Sequence, residues 1–245
     1  MKIDPERCIS CLECIEYCPM NSILEKDRAV FIDQDECVEC GVCLRAEVCP
    51  AEAIYMPEES KEFPRYIRAL FSNPNIKWPS RPTIAAGTGG RGTQEMKTND
   101  VTGRYKRGEF GIGIEFGRPG IGSKISEIET VARVLAAKGV VFEEENPITH
   151  TLMKNSHTGE IKSEFKKEKI LSGILEFKIR ESQLEEIISL LVPVLEQVDT
   201  VVSVGLVTRF ENDGSLPVLK RLTKMRLSPR PNAKINLGLG RPLID

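Results

Sequence analysis

Eight cysteines lie within the first 49 residues, and the rest of the 245-residue chain contains none. They fall in two runs, Cys8-x2-Cys11-x2-Cys14-x3-Cys18-Pro19 and Cys37-x2-Cys40-x2-Cys43-x5-Cys49-Pro50. Turns of the C-x2-C-x2-C type crowd three sulfurs around one site. That spacing suits a four-iron cluster whose fourth thiolate comes from a distant position. Eight thiolates meet the needs of two such clusters, and the expected chemistry is electron transfer. Pro19 and Pro50 lack a backbone N–H and hold φ near a turn value, which suits a chain leaving a metal site.

Three other uses of these cysteines compete. Structural zinc also takes C-x2-C pairs, but a third Cys two residues on departs from ribbon spacing. A disulfide framework belongs to short secreted chains, and Met1-Lys2-Ile3-Asp4-Pro5-Glu6 lacks the apolar run of a leader. The third is an altered motif holding one cluster or a three-iron cluster, a reading that rests on the x5 spacing.

The runs are copies of one another. Ile3-Asp4 to Ile23 resembles Ile32-Asp33 to Ile54 with an offset of 29 residues, so Cys8, Cys11 and Cys14 map onto Cys37, Cys40 and Cys43. The fourth position slips by two residues. Through the eight cysteines, the two prolines and the repeated apolar positions, residues 1–57 resemble the bacterial two-cluster, eight-iron ferredoxins. The resemblance covers roughly a quarter of the chain. It implies two [4Fe-4S] clusters cycling between 2+ and 1+ at low potential. In the family pattern the fourth Cys of each run serves the other run's cluster. One cluster then sits on Cys8, Cys11, Cys14 and Cys49, the other on Cys37, Cys40, Cys43 and Cys18, and the swap joins the two halves. The departure is the x5 spacing before Cys49, found in longer variants of the family.

Charge is unevenly spread. Residues 1–60 hold 14 acidic against 5 basic residues, whereas the remainder holds 22 against 29. An acidic cluster-bearing surface would steer encounter with a basic partner, although a solvated acidic face is an equal reading. Dispersed basic residues and few aromatics argue against nucleic-acid binding. No apolar run approaches the ~18 residues needed to span a bilayer. Free thiolates and oxygen-sensitive clusters suit a reducing cytoplasm and an anaerobic or microaerobic niche.

The elements that must carry this site follow from pattern. Residues 58–108 read as a stiff linker, with Pro57, Pro64, Pro74, Pro79 and Pro82 in or beside its first part and aromatics including Trp78. Pro64 would open a short helix at 65–71. Gly87-Thr-Gly-Gly-Arg-Gly92 is a loop without the Lys-Ser/Thr ending of a nucleotide-hydrolase phosphate loop. It is expected to be a flexible or partner-contacting segment, with a bound flavin or nucleotide as the rival.

Residues 109–212 then alternate strand and helix. Ile112, Ile114 and Phe116 mark a strand, and Gly117–Gly120 a turn. Ser126-x-x-Glu129 predicts a capping box for a helix carrying Ile125, Ile128, Ala132 and Leu135, ended by Gly139. Val140–Phe142 is a second strand and Leu175, Phe177 and Ile179 a third. Ser182-x-x-Glu185 predicts the cap of a helix through Leu184, Ile187, Ile188, Leu191 and Leu195, kinked at Pro193. Val201–Val207 is a fourth strand. The order is β-α-β, a connecting segment, β-α-β, the split-βαβ plait, which small regulatory amino-acid-binding domains also use. The helical stripes are expected to be core, and His150 and His157 surface residues. Residues 213–245 carry seven Lys or Arg against Asp213 and Asp245. They read as a basic arm or a frayed tail, with a short helix near Leu216–Leu227.

The expected fold is therefore α+β, with a ferredoxin segment at 1–57, a linker at 58–108, a plait at 109–212 and an arm at 213–245. The expected function is an electron-transfer protein or subunit serving a partner redox enzyme or complex. No catalytic residues are singled out, since the chain holds no nucleophile–base pair. The alternative is a redox- or metabolite-responsive regulator whose plait binds a small molecule. Donor, acceptor and oligomeric state, a homo-oligomer included, stay open.

Overall fold

The computed structural model describes residues 1–76, 104–118 and 120–231. The glycine-rich loop at 87–92, Trp78, Pro79, Pro82 and the end of the basic arm from residue 232 lie outside the described residues.

The first half is small and built from short pairs. β1 (Lys2–Ile3) pairs with β4 (Ile54–Tyr55), and β2 (Ile23–Lys26) with β3 (Ala29–Ile32), all antiparallel. β4 follows the second cysteine run and β1 precedes the first, so this pairing closes the segment on itself. Between them lies α1 (Val42–Arg45), one helical turn in the stretch where the second run is two residues longer than the first. The apolar contacts are few: Met1, Ile23, Val30, Ile32 and Ile54 with the cysteines themselves.

The second half has a conventional core. A four-stranded antiparallel sheet contains β5 (Glu109–Phe116), β7 (Val141–Phe142), β11 (Gly173–Arg180) and β12 (Val202–Val207), in the order β12-β5-β11-β7. Period-two alternation puts Phe110, Ile112, Ile114 and Phe116 of β5 on one face with Leu175, Phe177 and Ile179 of β11. Against these residues pack α3 (Ile125–Ala136) and α4 (Leu184–Leu195), whose buried positions Ile125, Ile128, Val131, Ala132, Leu135, and Leu184, Ile187, Ile188, Leu191 recur at helical spacing. Each buried Ile or Leu contributes about 1.5–3 kcal/mol of transfer free energy.

Both capping boxes expected from Ser-x-x-Glu differ in the structure. Ser126 lies inside α3, whose N-cap position is Lys124. Glu129 faces inward, accepting from the backbone N–H of Ile161 at 3.1 Å and pairing with Lys166 at 3.0 Å. Glu185 is likewise taken by another partner, Arg221. The reciprocal cap is formed two residues earlier, where the Gln183 side chain accepts from the Arg180 N–H at 3.1 Å. A side chain with a strong cationic partner is withdrawn from the helix end.

The segment joining β7 to β11 makes its own small structure. A π-helical turn, Ile148–Leu152, leads to the hairpin of β8 (Met153–Asn155) and β9 (Glu160–Ile161). β10 (Lys169–Ile170) then pairs with β6 (Ser123–Lys124), a strand short enough to escape any periodicity. The fully buried Asn146 secures the segment, donating to Ile174 O and Glu176 Oε2, both at 2.8 Å. His150 and His157 are exposed.

Residues 57–76 do not run free between the halves. α2 (Tyr66–Ser72) buries Ile67, Leu70 and Phe71 in the same core as the sheet and α3. α5 (Pro217–Lys224) docks through Val218, and Arg221 reaches Glu181 and Glu185. Among the described residues, no helix is long and apolar enough to cross a membrane.

Candidate metal centre

The two cysteine runs trace the same backbone twice. Ser10 and Glu39 have φ of 53° and 55°, and Leu12 and Gly41 have 67° and 69°. These pairs are related by the 29-residue offset of the repeat. Asn21 and Glu52, with φ of 50° and 48°, follow the two closing cysteines and keep the two-residue slip. Non-glycine residues in this region cost about 1–3 kcal/mol each and persist only where the surroundings enforce them. Repeated strain at matched positions marks a loop bent to purpose: it turns a row of sulfurs toward one hollow.

Each loop borders such a hollow, and each hollow is finished by the other run. Cys8, Cys11 and Cys14 line the first together with Cys49, Ala53 and Ile54. Cys37, Cys40 and Cys43 line the second together with Cys18, Met20, Ser22 and Ile23. The hollows are similar in size, about 320 and about 300 Å³ with their solvent-open mouths included. Their remaining walls are largely apolar, with Ile3, Ile9, Leu12 and Val30 around the first and Met1, Ile32 and Val38 around the second. The backbone N–H of Ala53 donates to Cys49 Sγ at 3.2 Å, and that of Ser22 to Cys18 Sγ at 3.3 Å. Ser22 Oγ lies a further 3.2 Å from the same sulfur.

The donor set fits an iron–sulfur cluster. Four sulfurs border each hollow, and no carboxylate, imidazole or amine side chain does. Among the described residues no three His, Cys, Asp or Glu side chains close on one point as ligands of a single ion do. Burial pushes the Cys14, Cys37 and Cys40 thiols up, and the Cys43 thiol up to about 12. Bound metal reverses that tendency, since a coordinated thiol is deprotonated outright.

The surroundings of the two hollows differ. Cys11 is exposed, and beside it Ile9 is 66% and Leu12 38% exposed. Cys37, Cys40 and Cys43 are all buried. Met20, Val38 and Cys40 pack with Leu171 of the second half. Gly122 is also there, at φ +71°, a backbone angle that favours glycine, and a Cβ on it would stand 2.7 Å from Met20 Cε. Glu39, fully buried between two cysteines, is met by Arg65 at 2.7 Å, by Ser60 and by the amino group of Met1.

Sequence reading missed these contacts. Arg65 and Arg68 fall in a stretch read as linker from its prolines and aromatics. Their one signal was a helix start after Pro64 with two arginines on the first turn.

Comparison with known proteins bears on this site alone. The family model described as a 4Fe-4S dicluster domain matches residues 1–50. A ferredoxin of Saccharopolyspora erythraea is 43% identical over 67 residues, which are 26% of this chain and 61% of that protein. A ferredoxin of Alicyclobacillus acidocaldarius subsp. acidocaldarius is 40% identical over 65 residues, 25% of this chain and 81% of that protein. Pyruvate synthase subunit PorD of Methanothermobacter marburgensis is 44% identical over 57 residues, 23% of this chain and 64% of that subunit. The chain thus spans less than two thirds of the Saccharopolyspora protein it matches. No solved structure matches it. With the dicluster model over the cysteine repeat and four fifths of the Alicyclobacillus protein covered, the chain belongs to the 4Fe-4S dicluster ferredoxins.

Proposed function

We propose that the chain is an electron-transfer protein or subunit with two [4Fe-4S] clusters, serving a partner oxidoreductase. In this reading Cys8, Cys11, Cys14 and Cys49 hold one cluster and Cys18, Cys37, Cys40 and Cys43 the other. The observation that carries it is the pair of four-sulfur hollows on a duplicated, strained loop. When bound, such clusters supply one-electron transfer at potentials set by charge, hydrogen bonding and exposure. The chain's own residues do the rest. Ala53 and Ser22 donate N–H groups to ligand sulfur, stabilising its negative charge. Ile3, Val30 and Ile54 on one side, and Met20, Ile32 and Val38 on the other, exclude water.

The partner's approach is proposed at the first hollow. Cys11, Ile9, Leu12, Glu13 and Glu16 are exposed there, an apolar patch with an acidic rim that suits a basic docking surface. Likeness to a pyruvate synthase subunit supports a complex as the setting.

Residues 109–212 are read as a split-βαβ plait, supported by the strand order β12-β5-β11-β7. Because α2 shares that plait's core, the second half is proposed to begin near residue 65, within the stretch read as linker, and not at residue 109. The test is iron and acid-labile sulfide analysis of oxygen-free protein. About eight of each per chain is expected, and values near zero, or zinc in their place, would defeat the proposal.

A further inference from the structure

The second hollow is gripped by two arginines, Arg68 from outside both cysteine runs and Arg45 from within the second. Arg68 of α2 is 5% exposed, and its Nη1 donates to Gln34 O at 2.9 Å, Asp35 O at 3.2 Å and Cys37 O at 2.8 Å. Its Nε pairs with Glu168 in the second half. Arg45 Nη1 donates to Cys40 O at 2.7 Å. The carbonyls of two of the second run's cysteines thus end on guanidinium groups. Among the described residues, no Arg or Lys side chain hydrogen-bonds a carbonyl of residues 8–14.

The Arg68–Glu168 pair is polarised. Its cationic end faces the cysteine loop, and its anionic end belongs to the second half. A cluster that gains an electron becomes more negative. Burial by itself opposes that gain, because a low dielectric disfavours added charge. A buried cation on the ligand loop favours it. Arg68 also fixes the 34–37 backbone by three bonds, so it holds the loop's shape as well as its field.

We infer that Arg68 is a positioning residue for the second cluster, raising its reduction potential and tying that potential to Glu168 of the second half. The inference rests on the two-cluster reading above. It assigns part of the chain outside the ferredoxin segment a measurable role in electron transfer.

The experiment is an anaerobic redox titration of the intact, cluster-loaded protein followed by paramagnetic resonance. The two signals are assigned by which one Cys18→Ala removes. Arg68→Gln is expected to lower the midpoint of the second cluster alone, by about tenfold in its reduction equilibrium, or ~59 mV for one electron. Glu168→Gln, which removes the counter-charge, is expected to raise the same midpoint and leave the first cluster fixed. Opposite shifts at one cluster support the inference. Two shifts in the same direction, equal shifts at both clusters, or no shift overturn it, because loosening of the fold has no sign that follows charge. If Arg68→Gln loses the second cluster, Glu168→Gln decides, and an unchanged midpoint there is fatal. Iron and sulfide near zero in the unaltered protein defeat the two-cluster reading itself, a result distinct from loaded clusters with unmoved potentials.

Discussion

The two hollows share a backbone and differ in their neighbours. Ser10 matches Glu39 in its left-handed angle, and Leu12 matches Gly41. Yet Cys11 is exposed, while Cys37, Cys40 and Cys43 are buried, with Arg68 of α2 bonded to Cys37 O and Leu171 packed with Cys40. Duplicating a loop copies its dihedral angles and its sulfurs; it does not copy the electric field around them. That field comes from chain with no counterpart in the repeat. Two sites of one chemistry are thereby made unequal, one open to the outside and one held by the rest of the molecule.

The largest way to break the comparison is through the closing cysteines. Cys18→Ala is expected to remove about half the iron and to spare the first-run cluster, and Cys49→Ala to do the reverse. Metal analysis with paramagnetic resonance on both variants checks the crossing, and loss of the cluster nearest in sequence would refute it. Next is the anchor of α2. Phe71 is 1% exposed, so Phe71→Ala should cost about 3–5 kcal/mol in thermal or denaturant unfolding. The second cluster should become labile before the first. A finer test exchanges one hydroxyl. With iron bound, Cys18 would carry no proton and Ser22 Oγ would donate to it; Ser22→Ala should then lower the second potential and Ala53→Ser raise the first, each by about 1 kcal/mol or less in redox titration.

The smallest effect is a control far from both hollows. The Arg221 hydrogen bond holds the Glu185 carboxyl at about 2, below its ordinary 4.5. Because the folded value is depressed, its contribution is present above pH 4.5 and is lost as pH falls through about 2. Glu185→Gln should therefore speed hydrogen exchange in α5 near neutrality, with the difference fading below pH 4.5. Neither cluster potential should move. Glu185 is nearly half exposed, so the change will be small.

Cysteine spacing carried most of the site into view, because ligand chemistry fixes local spacing. The repeat offset was equally readable, and the matched φ values are its physical trace. The strands at 109–116, 173–180 and 202–207 follow period-two apolar residues, and α3 and α4 follow helical ones. What stayed hidden was set by long-range partners. Glu129 and Glu185 have the spacing of capping residues, yet Lys166 and Arg221 claim them. β6 and β10 are two residues each, too short for a period. Arg68 sits among prolines in a stretch with linker composition, and only three-dimensional packing brings it to the carbonyl of Cys37. Local pattern reports local bonds; these contacts join residues 31 to 100 positions apart.

Because each hollow borrows its closing sulfur from the opposite run, their completion in time is also coupled. Cys14 precedes Cys49 by 35 residues, about 2–7 s of synthesis at roughly 5–20 residues per second. During that interval the nascent chain displays three thiols and no way to seal them. The later hollow already has its borrowed Cys18 waiting. Synthesis therefore completes the four cysteines of the sheltered hollow at Cys43, before Cys49 completes those of the open one.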